Sequence, residues 1–247
     1  MAKQIIVFLS LLITTFGSNA QVKIHSHNDY THSKPFYDAV ANNAFSIEAD
    51  VFVVGDALIV AHSKKEIKAE NTLENLYLKP IASFSQTTEF YSFQLMIDFK
   101  DSWEMTYPIL EKSLKPFQRY LSRGNKKINI VISGNRPADS TFHTFNAISF
   151  DGLPGVNYRS ADLKKITMIS DNFAKYSKWK GVGEIPEADK ARLKALIDHA
   201  HEIGKPFRFW GAPDHQACWK LLHDLGADII NTDQVAKASN YFNTKLQ

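Results

Sequence analysis

The chain has 247 residues, 44% of them apolar, with 29 Lys and Arg against 26 Asp and Glu and a single cysteine. A formal net charge of +3, dispersed along the chain, excludes the concentrated basic surface that nucleic acid requires, and the lone Cys218 excludes an internal disulfide. Apolar residues suffice for one large core, and Cys218, inside the helix-like stretch 217–222, reads as a buried structural thiol and not as a nucleophile.

Residues 1–20 carry one early cation, Lys3, then an apolar run from Ile5 to Phe16, then Gly17-Ser18-Asn19-Ala20. Small residues at Ser18 and Ala20 match the cleavage pattern of a signal peptide, which leaves residues 21–247 as one domain. The apolar run, about 12 residues, falls short of the roughly 20 that span a bilayer. The expectation is an exported protein, periplasmic or secreted. No amphipathic membrane helix follows, so transient contact with a membrane surface would rest on exposed loop aromatics.

Strand-like runs then occur near residues 22–26, 46–53, 94–99, 128–133, 146–150, 166–170, 206–210 and 228–231. Helix-like segments lie at 35–43, 107–123, 187–203 and 215–225. Eight strands alternating with helices, with no Gly/Ser linker, predict an α/β fold: a (β/α)8 TIM barrel in a single domain. The weak helical signal after Ile148 predicts an irregular barrel there. A doubly wound open sheet would want a glycine-rich first turn, which His25-Ser26-His27 is not.

Polar residues collect at the strand ends. The first run ends in His25-Ser26-His27-Asn28-Asp29-Tyr30, the second contains Glu48-Ala49-Asp50, and the short run 58–61 leads into His62. In a strand, residues two apart share a face, so Glu48 and Asp50 point together, and two adjacent carboxylates repel unless a cation or proton lies between them. His27 precedes Glu48 by 21 residues and His62 follows Asp50 by 12, which suggests a metal site with an acid and a base. Further strand ends supply Asp98 and Lys100, Arg136, Arg208 and Trp210, and Asp233.

With these residues the chain resembles the phosphatidylinositol-phospholipase C-like phosphodiesterase superfamily, in particular its glycerophosphodiester phosphodiesterase branch. The resemblance runs through 23–80, resumes at Met96-Ile97-Asp98-Phe99-Lys100 and returns weakly at 208–210 and 226–233. His-Ser-His-Asn-Asp-Tyr at 25–30 and Leu-Tyr-Leu-Lys-Pro at 76–80 are most similar to the altered-inheritance-of-mitochondria subgroup. The resemblance implies a barrel that hydrolyses a small or lipid-derived phosphodiester, with no protein partner. It implies that Glu48, Asp50 and Asp98 bind one divalent cation, Mg²⁺ or Ca²⁺, an all-oxygen set suited to a hard ion. It also implies that His27 and His62 are the catalytic pair. Lys100, Arg136, Arg208 and Trp210 are candidates for substrate contact, and His25, Asn28 and Asp233 for further site residues. That branch carries His-Arg-Gly at the first histidine where this chain has His-Asn-Asp, so the head group stays open.

Two other readings stay beside this one. His25-x-His27 at the end of a first barrel strand is also what amidohydrolase metal sites look like, although that reading needs further histidines at later strand ends. A barrel that binds head groups or sugars without turnover is the non-enzymatic alternative.

Overall fold

The computed structural model describes residues 22–245, so the expected signal peptide over 1–20 lies outside the described residues. Among the described residues ten strands occur: β1 Lys23–Ser26, β2 Ser46–Val54, β3 Ala57–Val60, β4 Phe93–Phe99, β5 Ser122–Arg123, β6 Lys126–Gly134, β7 Ser149–Gly152, β8 Ile166–Asn172, β9 Phe207–Trp210 and β10 Ile229–Thr232. Between and after them lie α1 Tyr37–Ala41, α2 Lys79–Phe84, α3 Trp103–Leu114, α4 Ser160–Leu163, α5 Glu187–Glu202, α6 Gln216–Asp224 and α7 Val235–Lys245.

Eight strands run parallel in the order β1-β10-β9-β8-β7-β6-β4-β2, and β2 pairs β1 in turn, so the sheet closes into the expected barrel. β3 folds back antiparallel on β2 and carries the chain toward His62, while β5 pairs antiparallel with β6. The predicted irregularity is present. Only the four-residue α4 stands between β7 and β8, and their register shifts between Phe150 and Asp151.

Strand periodicity sorts the side chains into two environments. On β2, Ile47, Ala49 and Val51 are fully buried in the main core with the helices, whereas Glu48 and Asp50 face the opposite way, into the barrel. A second, separate cluster of Met96, Val131, Met168 and Ile229, packed by Phe45, comes from the inward faces of β4, β6, β8 and β10. It fills the lower lumen. Above it the inward positions turn polar, with His25, Glu48, Ser133, Asp151, Ser170 and Arg208 all buried. The barrel thus has an apolar plug below and a polar layer toward the C-terminal strand ends, where this fold places its chemistry.

Two of the expected elements lie at shifted positions. The helix expected over 107–123 begins at Trp103 and stops at Leu114, then continues as a 3-10 segment, Lys115–Tyr120. Pro116 at the start of that segment cannot supply the amide an α-helix needs there. The strand expected at 146–150 lies at Ser149–Gly152, which moves Asp151 into the sheet.

Candidate active site

His27, His62, Glu48, Asp50, Asp98 and Lys100 line one cavity of about 410 Å³ at the C-terminal mouth of the barrel. Asn28, Arg136, Arg208 and Trp210 line it too, so residues spread over nearly two hundred positions of sequence meet there. Asp151, Ser170 and Leu153, which the sequence reading did not single out, complete its far side.

The first wall is built by the turn after β1. Asp29 is fully buried and accepts hydrogen bonds from the Ser26 hydroxyl at 2.8 Å, the Phe36 amide at 2.6 Å and the Tyr77 hydroxyl at 3.0 Å. This tether holds Asn28 at φ +45° and Phe36 at φ +66°, left-handed conformations that cost energy in a non-glycine residue. The Tyr30 hydroxyl lies 2.9 Å from Asp50 Oδ2 and 2.8 Å from Asn28 Oδ1, and its single hydrogen serves one of them at a time. It also lies 3.4 Å from His62 Nδ1. Burial and the neighbouring Asp50 push the phenol pKa up, so Tyr30 stays a donor.

His27 Nδ1 sits 2.7 Å from Asp233 Oδ1, and the Asn28 amide lies 3.0 Å from the same nitrogen. With Nδ1–H directed at the carboxylate, Nε2 is left as the nitrogen not engaged by Asp233. Burial works to lower the His27 pKa, but the hydrogen bond to Asp233 and the charges of Glu48 and Asp233 outweigh it, and the value is raised.

Below His27, His25 is fully buried, with Nε2 2.6 Å from Glu48 Oε2 and 2.6 Å from Arg208 Nη1. Burial and the Arg208 guanidinium lower its pKa to about 4, which leaves it neutral at neutral pH. Glu48 is ionised: burial opposes this, but the His25 hydrogen bond and the positive charge of Arg208 hold it below the usual carboxylate range. Arg208 is 3% exposed and also meets Asp151 Oδ2 at 3.1 Å. It lines the cavity and is at the same time the buried counter-charge of two carboxylates.

Asp50 and Asp98 are register partners on β2 and β4, and Lys100 Nζ bridges them at 2.8 and 2.5 Å. Ser133 donates to Asp98 at 2.7 Å. At the end of β6, Gly134 passes so close to β4 that a Cβ there would lie 2.5 Å from the Phe99 carbonyl oxygen. Burial and the charge of Glu48 raise the Asp50 carboxyl to about 6, and its Oδ1 is buried with no hydrogen-bond partner. As the side chains stand, no group of three His, Cys, Asp or Glu among the described residues is arranged to hold an ion. Two of the three expected ligands are bridged by Lys100, and Glu48 turns to His25 and Arg208.

The amidohydrolase alternative loses its support here. His25 lies beneath the cavity with its Nε2 against Glu48 and Arg208, and among the described residues His143, His199, His201, His215 and His223 do not line it. His143 pairs with Asp162 and His201 with Asp228 instead.

Residues 15–93 match the AIM6-like phosphodiesterase domain. His27, Glu48, Asp50 and His62 all fall inside that match. Among curated proteins, the altered inheritance of mitochondria protein 6 homolog of Arthroderma benhamiae is 26% identical over 90% of this chain and 84% of its own length. Altered inheritance of mitochondria protein 6 of Saccharomyces cerevisiae is 26% identical over 88% of this chain and 70% of its own length. Among solved structures, a glycerophosphodiester phosphodiesterase from Parabacteroides distasonis superposes with a TM-score of 0.61 at 14% identity, over 92% of this chain and 98% of that one. A calcium-dependent phosphoinositol-specific phospholipase C from a Pseudomonas species gives 0.60 at 11% identity, over 87% and 89%. The resemblance read from the motif stands: the fold is that of the phospholipase C-like phosphodiesterases, and the sequence relatives are the altered-inheritance proteins.

The same relatives correct one expectation. Their names tie them to the inheritance of mitochondria, which are intracellular, and this overturns the assignment of the chain as periplasmic or secreted.

Proposed function

We propose that this protein hydrolyses a phosphodiester in the barrel-mouth cavity, with His27 and His62 as its base and acid. The observation that carries the reading is that both histidines, separated by 35 positions and brought in by different elements, line one cavity with Glu48, Asp50 and Asp98. The phosphodiesterase-type fold and the domain match support the same reaction class.

His27 is the better base, because the Asp233 carboxylate stabilises the imidazolium that forms when Nε2 takes a proton from the attacking hydroxyl. His62, on the loop after β3, then protonates the leaving oxygen. Each transfer supplies roughly 10²- to 10⁴-fold in rate. Tyr30 donates to Asp50 or to Asn28, one at a time, at the same cavity wall.

Glu48, Asp50 and Asp98 would hold a divalent cation, Mg²⁺ or Ca²⁺. The donor set is all oxygen, and the buried Asp50 Oδ1 without a donor is the group such an ion satisfies. When bound, the ion supplies Lewis-acid stabilisation of the negative charge on a phosphate oxygen. Lys100, held between Asp50 and Asp98, adds a second positive charge at the same end of the cavity.

The test is hydrolysis of bis(p-nitrophenyl) phosphate and a panel of glycerophosphodiesters and inositol phosphodiesters, after chelation and after return of Mg²⁺, Ca²⁺, Mn²⁺ or Zn²⁺. Turnover restored by Mg²⁺ or Ca²⁺ supports the reading. No turnover with any ion, in folded protein that still binds the esters, leaves the cavity as a head-group binding site.

A further inference from the structure

We propose that His32 and Asp214 are positioning residues that clamp the Asp233 peptide from both sides and thereby hold its carboxylate against His27. This rests on the phosphodiesterase reading and extends the His27 machinery to two residues that do not line the barrel-mouth cavity.

Asp233 stands in the two-residue link between β10 and α7. Its side chain is 51% exposed, so packing does not fix it, and an exposed carboxylate is free to turn to other staggered rotamers and leave its partner to water. Its backbone is held instead. The Asp233 amide donates to Asp214 Oδ2 at 2.9 Å, and its carbonyl oxygen lies 2.9 Å from His32 Nε2. A carbonyl oxygen only accepts, so Nε2 is the nitrogen of His32 that carries the hydrogen in this contact.

The two clamps come from the barrel neighbours of β10. His32 follows β1, Asp214 stands between β9 and α6, and β10 pairs with both strands. Each clamp is anchored in turn. Asp214 Oδ1 accepts at 2.8 Å from the indole of Trp219, which is buried, and His32 Nδ1 lies 3.4 Å from the buried Asp29. Gln234, the next residue, donates its side-chain amide to the Asp214 carbonyl at 2.7 Å and its backbone amide to Thr232 Oγ1 at 2.9 Å. With the peptide groups on both sides of Asp233 engaged, its carboxylate is delivered to His27 Nδ1 at 2.7 Å.

The charged and titratable groups that face His27 are Asp233 from the link after β10, Glu48 from β2, Arg208 from β9 and His25 from its own strand. Loosening the clamp weakens the Asp233 contact alone, which lowers the His27 pKa. Losing the positive charge of a protonated His32 acts in the opposite sense, so position and charge separate by sign.

The experiment follows the His27 imidazole by NMR titration without substrate, in wild type, His32→Gln and His32→Asn, with His27→Ala to assign the signal. Both substitutions are uncharged. The glutamine places an N–H where His32 Nε2 was, whereas the shorter asparagine does not reach the Asp233 carbonyl. The His27 pKa should be lower in His32→Asn than in His32→Gln by about half a unit or more. In turnover of bis(p-nitrophenyl) phosphate, kcat should be lower in His32→Asn than in His32→Gln by about threefold or more, with KM within about twofold. Asp214→Asn and Asp214→Ala, again equal in charge, repeat the comparison from the other side if His32→Asn does not fold, because only the asparagine offers the Asp233 amide an oxygen. Equal His27 pKa values within each pair, or a value raised in both His32 variants, overturn the clamp. The titration needs no turnover, so failure of the phosphodiesterase reading would show separately, as absent hydrolysis by wild type.

Discussion

His27 Nδ1 lies 2.7 Å from the Asp233 carboxylate, although 206 residues separate them. The contact joins the ends of β1 and β10, the first and last strands of the closed barrel, and raises the His27 pKa above 6.5 against the effect of burial. A base must be neutral to act, so the rate should fall as pH drops through that raised value. Asp233→Asn removes the carboxylate, which should shift the acid limb of kcat/KM to lower pH and reduce the rate roughly tenfold or more. A pH profile with an unmoved acid limb would remove Asp233 from this role.

The buried Asp29 is the anchor of the His27 turn. It accepts three hydrogen bonds, from Ser26, Phe36 and Tyr77, and lies 3.4 Å from His32 Nδ1. Asp29→Ala strips all of these at once and should destabilise the fold by about 3–5 kcal/mol in denaturant unfolding. Tyr77→Phe removes one donor and should cost about 1–2 kcal/mol.

His32 makes part of that stability dependent on pH. The Asp29 carboxylate, 3.4 Å from Nδ1, is the main cause of a pKa near 9, with burial acting the other way. The unfolded value is 6.5. A histidine whose folded pKa is raised contributes its full stabilisation below the unfolded value and loses it as pH rises through the folded one. The difference in unfolding free energy between wild type and His32→Asn should be largest below pH 6.5 and should shrink as pH rises through about 9. A difference that grows toward high pH would contradict the ion pair.

Lys100 separates two carboxylates that otherwise repel. Lys100→Met should lower stability in chelator by about 1–2 kcal/mol, less than a fully buried pair because its side chain is 31% exposed. Added Mg²⁺ or Ca²⁺ should restore the melting temperature more strongly than in wild type, since the ion then faces no competing ammonium. Equal recovery in both proteins would place the ion elsewhere.

Local patterns made the barrel and half of the site legible. On β2 the alternation of Ile47, Ala49 and Val51 with Glu48 and Asp50 reports both the strand and its two faces, and the same period on β4 sets Asp98 beside Asp50. β7 lies three residues later than the sequence predicts because it is four residues long and irregular, so its period carries little information about Asp151. Its Asp-Gly end was the available signal. Asp29 and Tyr77 stand 48 residues apart, and Arg208 reaches Glu48 across 160. Such contacts leave no trace in a local window, so the sequence carries no sign that Arg208 is the buried counter-charge of Glu48 and Asp151. Tyr77 lies in the Leu-Tyr-Leu-Lys-Pro run that marked the family resemblance, but nothing near it in sequence shows its partner.

The most direct test of the account compares His27→Ala and His62→Ala on two esters, bis(p-nitrophenyl) phosphate, whose leaving group needs no proton, and a glycerophosphodiester, whose alkoxide does. His27→Ala should lose roughly 10²- to 10⁴-fold on both, whereas His62→Ala should lose that much on the glycerophosphodiester and far less on the p-nitrophenyl ester. Wild-type rates retained by either variant on the glycerophosphodiester would contradict the assignment of this cavity as a histidine acid-base site.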